Sequence, residues 1–593
     1  YFTYFPETCA ARCDFATGTC RGRKNQVRWR KRLFLVSLVW VVFCAGALAL
    51  DDSQVRWRWV YCSTNFQVNE QASELIDLLG RAHRLGYNGM VVSDYKFGRI
   101  QGRPQWYYDN LRRVRRAADD FNMQLIPCVM PIGYSGSILQ NNPDLAAALP
   151  ARDVEFVCQG DSAVVADRRN LLLFADFENG ESPDRSGWDF VDGPGKSTFF
   201  DSDVIHGGTR SLRMENFPAG NEVGNCRVHK LLEVKPWHQY HVSLWLKTED
   251  LRPSGSVRVA ALTEDGQSLN YTHLGVKSTQ DWRRHDLIFN SLGNERVRFY
   301  FGIWSGKGGT MWLDDVEVRE TAGVNMLRRE GCPIKVVSAE TEREYVEGRD
   351  FTRWQHPQTG RDPWPGSFQP WHPAPPIELA DNSRIGDRER LKVSFYHTDV
   401  IHDGQVPCCL SADEVFRYLE EQVEQLDRYW DPQSYMMSHD EIRIAGWCEL
   451  CRGKTPGELL ARNVERCTEI IREVNPDAGI FVWSDMFDPH HNARDNYYLA
   501  SDTFEGSWRG LDESVRIVNW NGGHRRQSLS FFANRGHRQV IAGYYDHSNV
   551  DGHLGNWLDA ARGLPGIDGA MYTTWRGDYS NLDRFIQALH SYR

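Results

Sequence analysis

Ser434-Tyr-Met-Met-Ser-His-Asp-Glu441 is an apolar run of strand length that ends on two adjacent carboxylates. A short, continuously apolar run of this kind reads as a buried parallel strand, with polar groups delivered at its C-terminal end. Upstream, Ser411 and Glu414 form a capping-box pattern that opens a helix over 411–429, and downstream Thr455-Pro456 with Glu458 opens another over 455–474. Strand patterns follow over 479–483, 515–519, 539–544 and 569–574. The same rhythm stands near the start of the chain, with strands over 57–62, 89–93 and 124–129 and helices over 69–85 and 108–121. Alternation of this type predicts an α/β fold, a (β/α)8 TIM-type barrel with three strands before a long interruption and five after it. A ninth strand pattern, over 391–396, must then lie outside the barrel.

The interruption covers 170–321, where the helical period vanishes and short alternating strands separated by Gly, Pro, Asp and Asn predict an inserted all-β sandwich of jelly-roll type. The expected organisation is a leader over 1–50, a first barrel part over 51–169, the sandwich over 170–321, and a connection with the second barrel part over 322–593. Within the last, 322–390 is rich in Pro and Trp and is expected to line a cleft in part. In the leader, Arg28, Arg30, Lys31 and Arg32 precede an apolar core over 33–49 that ends in Ala47-Leu-Ala49. That order reads as a secretory signal cleaved after Ala49, with an uncleaved N-terminal anchor as the alternative, and sets residues 1–26 apart from the native protein. A secreted, periplasmic or cell-surface protein is expected, touching membrane only through the leader.

The formal net charge of −10 and the absence of a basic segment argue against nucleic acid as a partner. Aromatic residues make up 12% of the chain, with 21 Trp and 23 Tyr, and flat rings with an apolar face suit sugars. They gather at the predicted strand ends: Asp94, Tyr134, Asp440 with Glu441, Trp483 with Asp485, Trp520, Tyr544-Tyr-Asp546, and Trp575. Such ends are where a parallel barrel carries its functional groups. Neighbouring carboxylates raise one another's pKa, which predicts Glu441 protonated as an acid beside an ionised Asp440, with His439 in the same pocket. The competing structural interpretation is that one of the two caps a helix or pairs with Arg443.

The strand running into Asp440-Glu441, the later Trp483, Trp520, Tyr544 and Trp575 on successive strands, and Leu125-Ile-Pro-Cys-Val-Met-Pro-Ile-Gly133 together resemble the barrel of family-20 glycoside hydrolases, the β-N-acetylhexosaminidases. The resemblance implies substrate-assisted retaining cleavage of N-acetylhexosaminides without a catalytic cofactor. It makes Asp440 the group that orients the substrate's acetamido arm and Glu441 the general acid and then base. Trp483, Trp520 and Trp575 would wall the acetamido pocket, and Tyr544 or Tyr545 would hydrogen-bond its oxygen. Departures fall at His439, where the family has a small residue, at Ser63-Thr-Asn65, which lacks the sugar-binding Arg, at Tyr134 in place of His, and at Arg576 in place of Glu.

Phe177-Glu-Asn-Gly180, Gly208-Thr-Arg-Ser-Leu212 and Trp312-Leu-Asp-Asp-Val316 resemble jelly-roll carbohydrate-binding modules. That likeness implies a structural calcium, with Asp176, Glu178 and Asp315 as oxygen donors, and Trp188, Trp237, Trp282 and Trp304 as platforms for a glycan. Two runs, His397, Asp399, His402 and Asp403, and Asp485, Asp488, His490 and His491, are compatible with an imidazole–carboxylate metal site and metal-dependent hydrolysis. Cys448-Glu-Leu-Cys451 with Cys408-Cys409 is compatible with a four-thiolate zinc site, with disulfides or with free thiols. The expected function is glycoside hydrolysis with a glycan partner. The alternative is a non-catalytic glycan-binding protein on a degenerate barrel.

Overall fold

The computed structural model describes residues 55–166, 171–355, 358, 364 and 367–591. The leader expected over 1–50 lies outside these residues. Eight parallel strands close into a barrel in chain order: β1 (Trp57–Ser63), β2 (Gly89–Ser93), β3 (Gln124–Val129), β4 (Ser434–Met437), β5 (Gly479–Trp483), β6 (Arg516–Asn519), β7 (Gln539–Ile541) and β8 (Ile567–Tyr572), with β8 paired back to β1. Around it pack α1 (Asn69–Leu85), α2 (Gln105–Asp120), α3 (Asp413–Trp430), α4 (Pro456–Val474), α5 (Arg525–Ala533), α6 (Val550–Ala561) and α7 (Leu582–Ser591).

The regular (β/α)8 TIM-type barrel with one inserted jelly roll is overturned. Helix makes up only 25% of the described residues, among which antiparallel sheets outnumber the barrel. Between β5 and β6 the described residues form two 3-10 turns and a two-residue strand in place of a helix. The cause is composition: Asp488-Pro-His-His-Asn-Ala-Arg-Asp-Asn496 offers no apolar period and is full of turn formers. A further antiparallel sheet, built from 149–165 and 326–397, also stands outside both barrel and sandwich. Arg390–His397, the ninth strand pattern, runs antiparallel to Leu149–Gln159 at the centre of this sheet.

Local signals explain the helix starts unevenly. At α4 both halves of the capping box form, Thr455 accepting from Glu458 N and Glu458 from Thr455 N. At α3 the expected Ser411–Glu414 box does not form; the helix starts after Ala412 with no side-chain cap, and Glu414 instead binds Asn142 and Arg417. The sandwich packs a four-stranded sheet on a six-stranded one around Leu244, Leu246, Phe299, Phe301 and Val316. Each such fully buried side chain contributes about 1.5–3 kcal/mol of transfer free energy. Among the described residues no helix is long and apolar enough to cross a membrane.

Candidate functional site

Strand alternation decides which side chains reach the barrel axis. On β4, Met436 packs inside the barrel and Tyr435 and Met437 pack outward against the helices. Continued past the strand, the inner face carries Ser438 and Asp440, and the outer face carries His439. His439 is fully buried against α4, its Nε2 3.1 Å from Asn463 Oδ1. Burial lowers its pKa to about 4, against the pull of that hydrogen bond, so it is neutral packing between strand and helix and lies away from the expected pocket.

Three carboxylates meet beyond the ends of β4 and β5. Glu441 adopts a left-handed φ of 51°, a conformation that costs a non-glycine residue about 1–3 kcal/mol and recurs at functional sites. Its carboxylate pairs with Arg443, Nη2 to Oε2 at 2.7 Å, and the same oxygen accepts the Tyr134 hydroxyl. Gln405 locks this arrangement, donating to Glu441 O at 2.7 Å and accepting from Arg443. Asp485 is fully buried and accepts from Glu441 N at 2.9 Å, Asn492 Nδ2 at 2.9 Å and Trp520 Nε1 at 3.2 Å. Asp440 is half-buried and accepts from Ser438 Oγ at 2.7 Å. The backbone closeness that a small residue before the pair would allow comes from elsewhere. A Cβ on Gly133 would stand 1.8 Å from Asp440 O, so only glycine lets the loop after β3 pass.

These surroundings raise the pKa of Asp440, the carboxyl group expected to be ionised. Burial, and then the charges of Asp485 and Glu441, push Asp440 up to about 7. Burial pushes Asp485 up to about 7 as well, with the Glu441 charge adding and the donors from Glu441 N, Asn492 and Trp520 opposing. Two such carboxylates titrate as a pair. Burial works against the charge on Arg443, but Glu441 together with the surrounding Tyr497, Tyr134 and Tyr498 outweighs it, and Arg443 stays a cation. Glu441 is therefore the ion-paired carboxylate, and Asp440 with Asp485 the proton-holding pair.

A raised carboxylate pKa destabilises the fold only where the unfolded group ionises and the folded one resists. The loss from Asp440 is absent below about pH 4, grows as pH rises, and is complete above about 7. Asp440→Asn is accordingly expected to match the wild type in Tm at pH 4 and to exceed it by several degrees at pH 8, as measured by scanning calorimetry. Equal Tm values at pH 8 would contradict the burial of this charge.

Aromatic rings wall the mouth. Trp575, 38% exposed, stands 5.2 Å from Tyr61 and 6.2 Å from Trp483, ring centre to ring centre, and Tyr61 in turn feels the Asp440 charge. Trp520 is held by Asp485 and by His491 at 4.5 Å. Asp546 works from behind, accepting from Thr574 Oγ1, Trp575 N at 2.7 Å and Arg576 N at 3.1 Å, and so positions the Trp575 turn. Tyr544 is half-buried beside Asp546 and Arg576. The structure thus brings together Tyr134, Asp440, Glu441, Trp483, Asp485, Trp520 and Trp575. Tyr545 is not among them: it is buried on the helix side, 5.4 Å from Tyr572 and 4.7 Å from Phe585. Asp94 accepts from Phe66 N at 3.0 Å and Lys96 N at 2.9 Å and ties together the loops after β1 and β2. Arg443, Gln405, Asn492, Tyr61 and Gly133 complete the site without having been singled out as site residues.

Each of the expected calcium donors has a hydrogen-bond partner within the protein. Glu178 is engaged by Thr209 N at 2.7 Å and Arg210 N at 3.0 Å, Asp176 by Glu178 N at 3.2 Å, and Asp315 by His206 Nδ1 at 2.6 Å. Trp188 lies in the sandwich core, Trp237 stacks under Arg152 at 4.2 Å, Trp304 lies under Arg227 at 5.7 Å, and half-buried Trp282 stands 5.6 Å from His206. Of the two histidine runs, His397 pairs with Asp399 at 3.3 Å and Asp403 with His273 at 2.9 Å. Among the described residues neither run gathers three ligand atoms; the group that does is made of cysteines. A separate polar cleft of about 410 Å³, lined by Arg152, Trp447, Lys454 and Asp502, contains none of the three carboxylates.

No protein-family model matches the chain, and no curated protein matches it. Similar solved structures include a rhamnosidase from Novosphingobium sp. PP1Y, 10% identical, with a TM-score of 0.31 over 91% of this chain and 58% of that one. They also include the CBM22-1 xylan-binding domain of Paenibacillus barcinonensis Xyn10C, 15% identical, with a TM-score of 0.18 over 26% of this chain and 96% of that one. A third is TmCBM61 in complex with β-1,4-galactotriose, 15% identical, with a TM-score of 0.17 over 23% of this chain and 89% of that one. Likeness at these scores carries no argument about fold or chemistry.

Proposed function

We propose that the protein is an exported glycoside hydrolase that cleaves N-acetylhexosaminides or a closely related glycan at the mouth of the parallel barrel. The observation that carries this is the unequal carboxylate cluster: Glu441 paired with Arg443, beside the proton-holding Asp440 and Asp485, under a wall of Trp483, Trp520 and Trp575. Glycosidic cleavage needs one carboxyl group to give a proton and a negative charge to face the sugar.

In the proposed reaction a pyranose ring lies against the tryptophans, and protonated Asp440 donates to the glycosidic oxygen as the bond to the anomeric carbon breaks. The aglycone leaves as an alcohol. The positive charge that develops on the ring faces the Glu441 carboxylate, with the substrate's acetamido oxygen as the group that bonds to the anomeric carbon. Water then attacks that carbon as its bond to the acetamido oxygen breaks, regenerating the acetamido group, and gives its proton to Asp440, restoring the acid. The roles of Asp440 and Glu441 are thus exchanged relative to those the hexosaminidase resemblance implies, because a carboxylate paired with a buried guanidinium is a poor proton donor. Metal takes no part in this scheme.

The test is a panel of nitrophenyl glycosides incubated with the full chain, with release followed by absorbance. Hydrolysis of an N-acetyl-β-hexosaminide above the other sugars is the expected result. Binding to glycans with no hydrolysis anywhere on the panel would overturn the enzymatic reading in favour of a glycan-binding barrel.

A further inference from the structure

Behind the catalytic loops, three buried sulfurs face one another. Cys409 Sγ lies 3.7 Å from Cys448 Sγ and 4.0 Å from Cys451 Sγ, and Cys448 Sγ lies 3.4 Å from Cys451 Sγ. A disulfide holds its sulfurs at about 2.0 Å, so none of these pairs is bonded. Four thiolates at about 2.3 Å from a zinc ion stand about 3.8 Å apart along each edge of the tetrahedron. The three observed separations scatter around that edge. The ten cysteines of the described residues are all free, and these three are each 2% exposed.

The backbone supplies a matching cradle. Cys448 and Cys451 bracket a 3-10 turn, with Cys451 N donating to Cys448 O at 3.0 Å. Against it docks a second turn, in which Cys332 N donates to Arg329 O at 3.0 Å and Gly331 O accepts from Glu449 N at 2.9 Å. Gly331 has φ 78°, and a Cβ there would stand 2.5 Å from Leu450 Cγ, so glycine is needed for the turn that carries Cys332 to dock on the 448–451 turn. The Arg329 guanidinium lies among the sulfurs of Cys409, Cys332 and Cys448. Neutral thiols would give that buried cation little counter-charge, whereas four thiolates around one divalent zinc carry a net negative charge that does. Cys408, the neighbour that the sequence grouped with this set, is directed elsewhere: its Sγ lies 3.9 Å from Ile132 O and its N donates to Ser135 Oγ at 2.7 Å.

We propose that Cys332, Cys409, Cys448 and Cys451 form a structural zinc site, with all four coordination positions filled by protein. The site cross-links three stretches of chain that are far apart in sequence. Cys409 follows Gln405, and Cys448 follows Arg443, so the ion braces the two segments that hold Glu441. A closed four-thiolate site of this kind offers no open position for substrate, and its role is stability of the loops.

The experiment measures metal in the full chain purified from zinc-containing medium without chelators, by plasma mass spectrometry, and then exchanges it for cobalt. One zinc per chain is expected, and the cobalt form should show sulfur-to-cobalt charge transfer in the near ultraviolet with the visible bands of tetrahedral geometry. Cys408→Ser should keep both readouts, and Cys451→Ser should lose the metal. Cys332→Ser should weaken the charge-transfer band; an unchanged spectrum would overturn its assignment as fourth ligand. A chain that carries no stoichiometric metal, or peptide mapping that finds Cys448 and Cys451 joined in a disulfide, would overturn the site. None of these readouts depends on glycosidase activity, so the two proposals stand or fall separately.

Discussion

Glu441→Gln lowers kcat on the best nitrophenyl glycoside by about 10³-fold while KM stays within a few-fold: this is the largest single effect expected. A positioned carboxyl group contributes about 10²–10⁴-fold to a reaction of this type. The substitution removes more than that group. Arg443, 5% exposed, is left as a buried cation without its partner, close to where positive charge develops on the sugar. Two like charges are then brought together in the transition state and kept apart in the ground state, so the penalty falls on kcat. Binding against Trp520 and Trp575 is untouched, which is why KM is expected to hold. Calorimetry on the same variant separates loss of chemistry from loss of fold. Activity within ten-fold of the wild type would sink the role given to Glu441.

Arg443→Met is expected to act on both stability and turnover. Removing one partner of a buried ion pair costs about 3–5 kcal/mol, because the other charge is left desolvated. Here Arg443 holds more than Glu441: it donates to Gln405 and, at 3.3 Å, to Tyr134 Oη, and its guanidinium lies 4.9 Å from the Tyr498 ring centre. With that fork gone, the left-handed turn at Glu441 loses the contacts that offset its strain. The expected results are a fall of several degrees in Tm and of about 10²-fold in kcat/KM. Arg443→Lys is the informative partner, since lysine restores the charge without the planar fork to Gln405. It should recover part of the stability and less of the activity. A variant that lost Tm but kept full kcat would make Arg443 a structural residue alone.

Much of the barrel was legible because buried parallel strands are short, apolar and separated by amphipathic helices. What misled was the assumption that every connection contains a helix. The 484–515 segment carries Asp, Asn, His and Pro where α-helix needs an apolar stripe, and Leu149–Gln159 and Arg390–His397 are strands, the second alternating with a period of two. Those last two pair with each other across the sandwich insertion, a contact that no local pattern announces. In the site, alternation alone separates Asp440 from His439 and Tyr544 from Tyr545, so the outward positions of His439 and Tyr545 were available from parity along β4 and β7. Gln405 and Asn492 had no such signal, since both come from loops whose course depends on tertiary contacts. Arg443 was visible as a neighbour of the acidic pair, and the two side chains meet beside a left-handed turn at Glu441, φ 51°, that no local pattern announces. The same limit applies to the cysteines: Cys448 and Cys451 form a recognisable spacing, whereas Cys332 joins them only through the docking of the Gly331 turn.

In the proposed reaction the sugar to be cleaved sits at the barrel mouth, over Asp440 and Glu441. The most direct measurement is a crystal structure of Glu441→Gln with the intact glycoside that the wild type hydrolyses best. The expected result is a ring against Trp520 and Trp575, with the glycosidic oxygen within hydrogen-bond reach of Asp440. A glycoside bound only on the sandwich or in the Arg152–Asp502 cleft, with the barrel mouth empty, would contradict it.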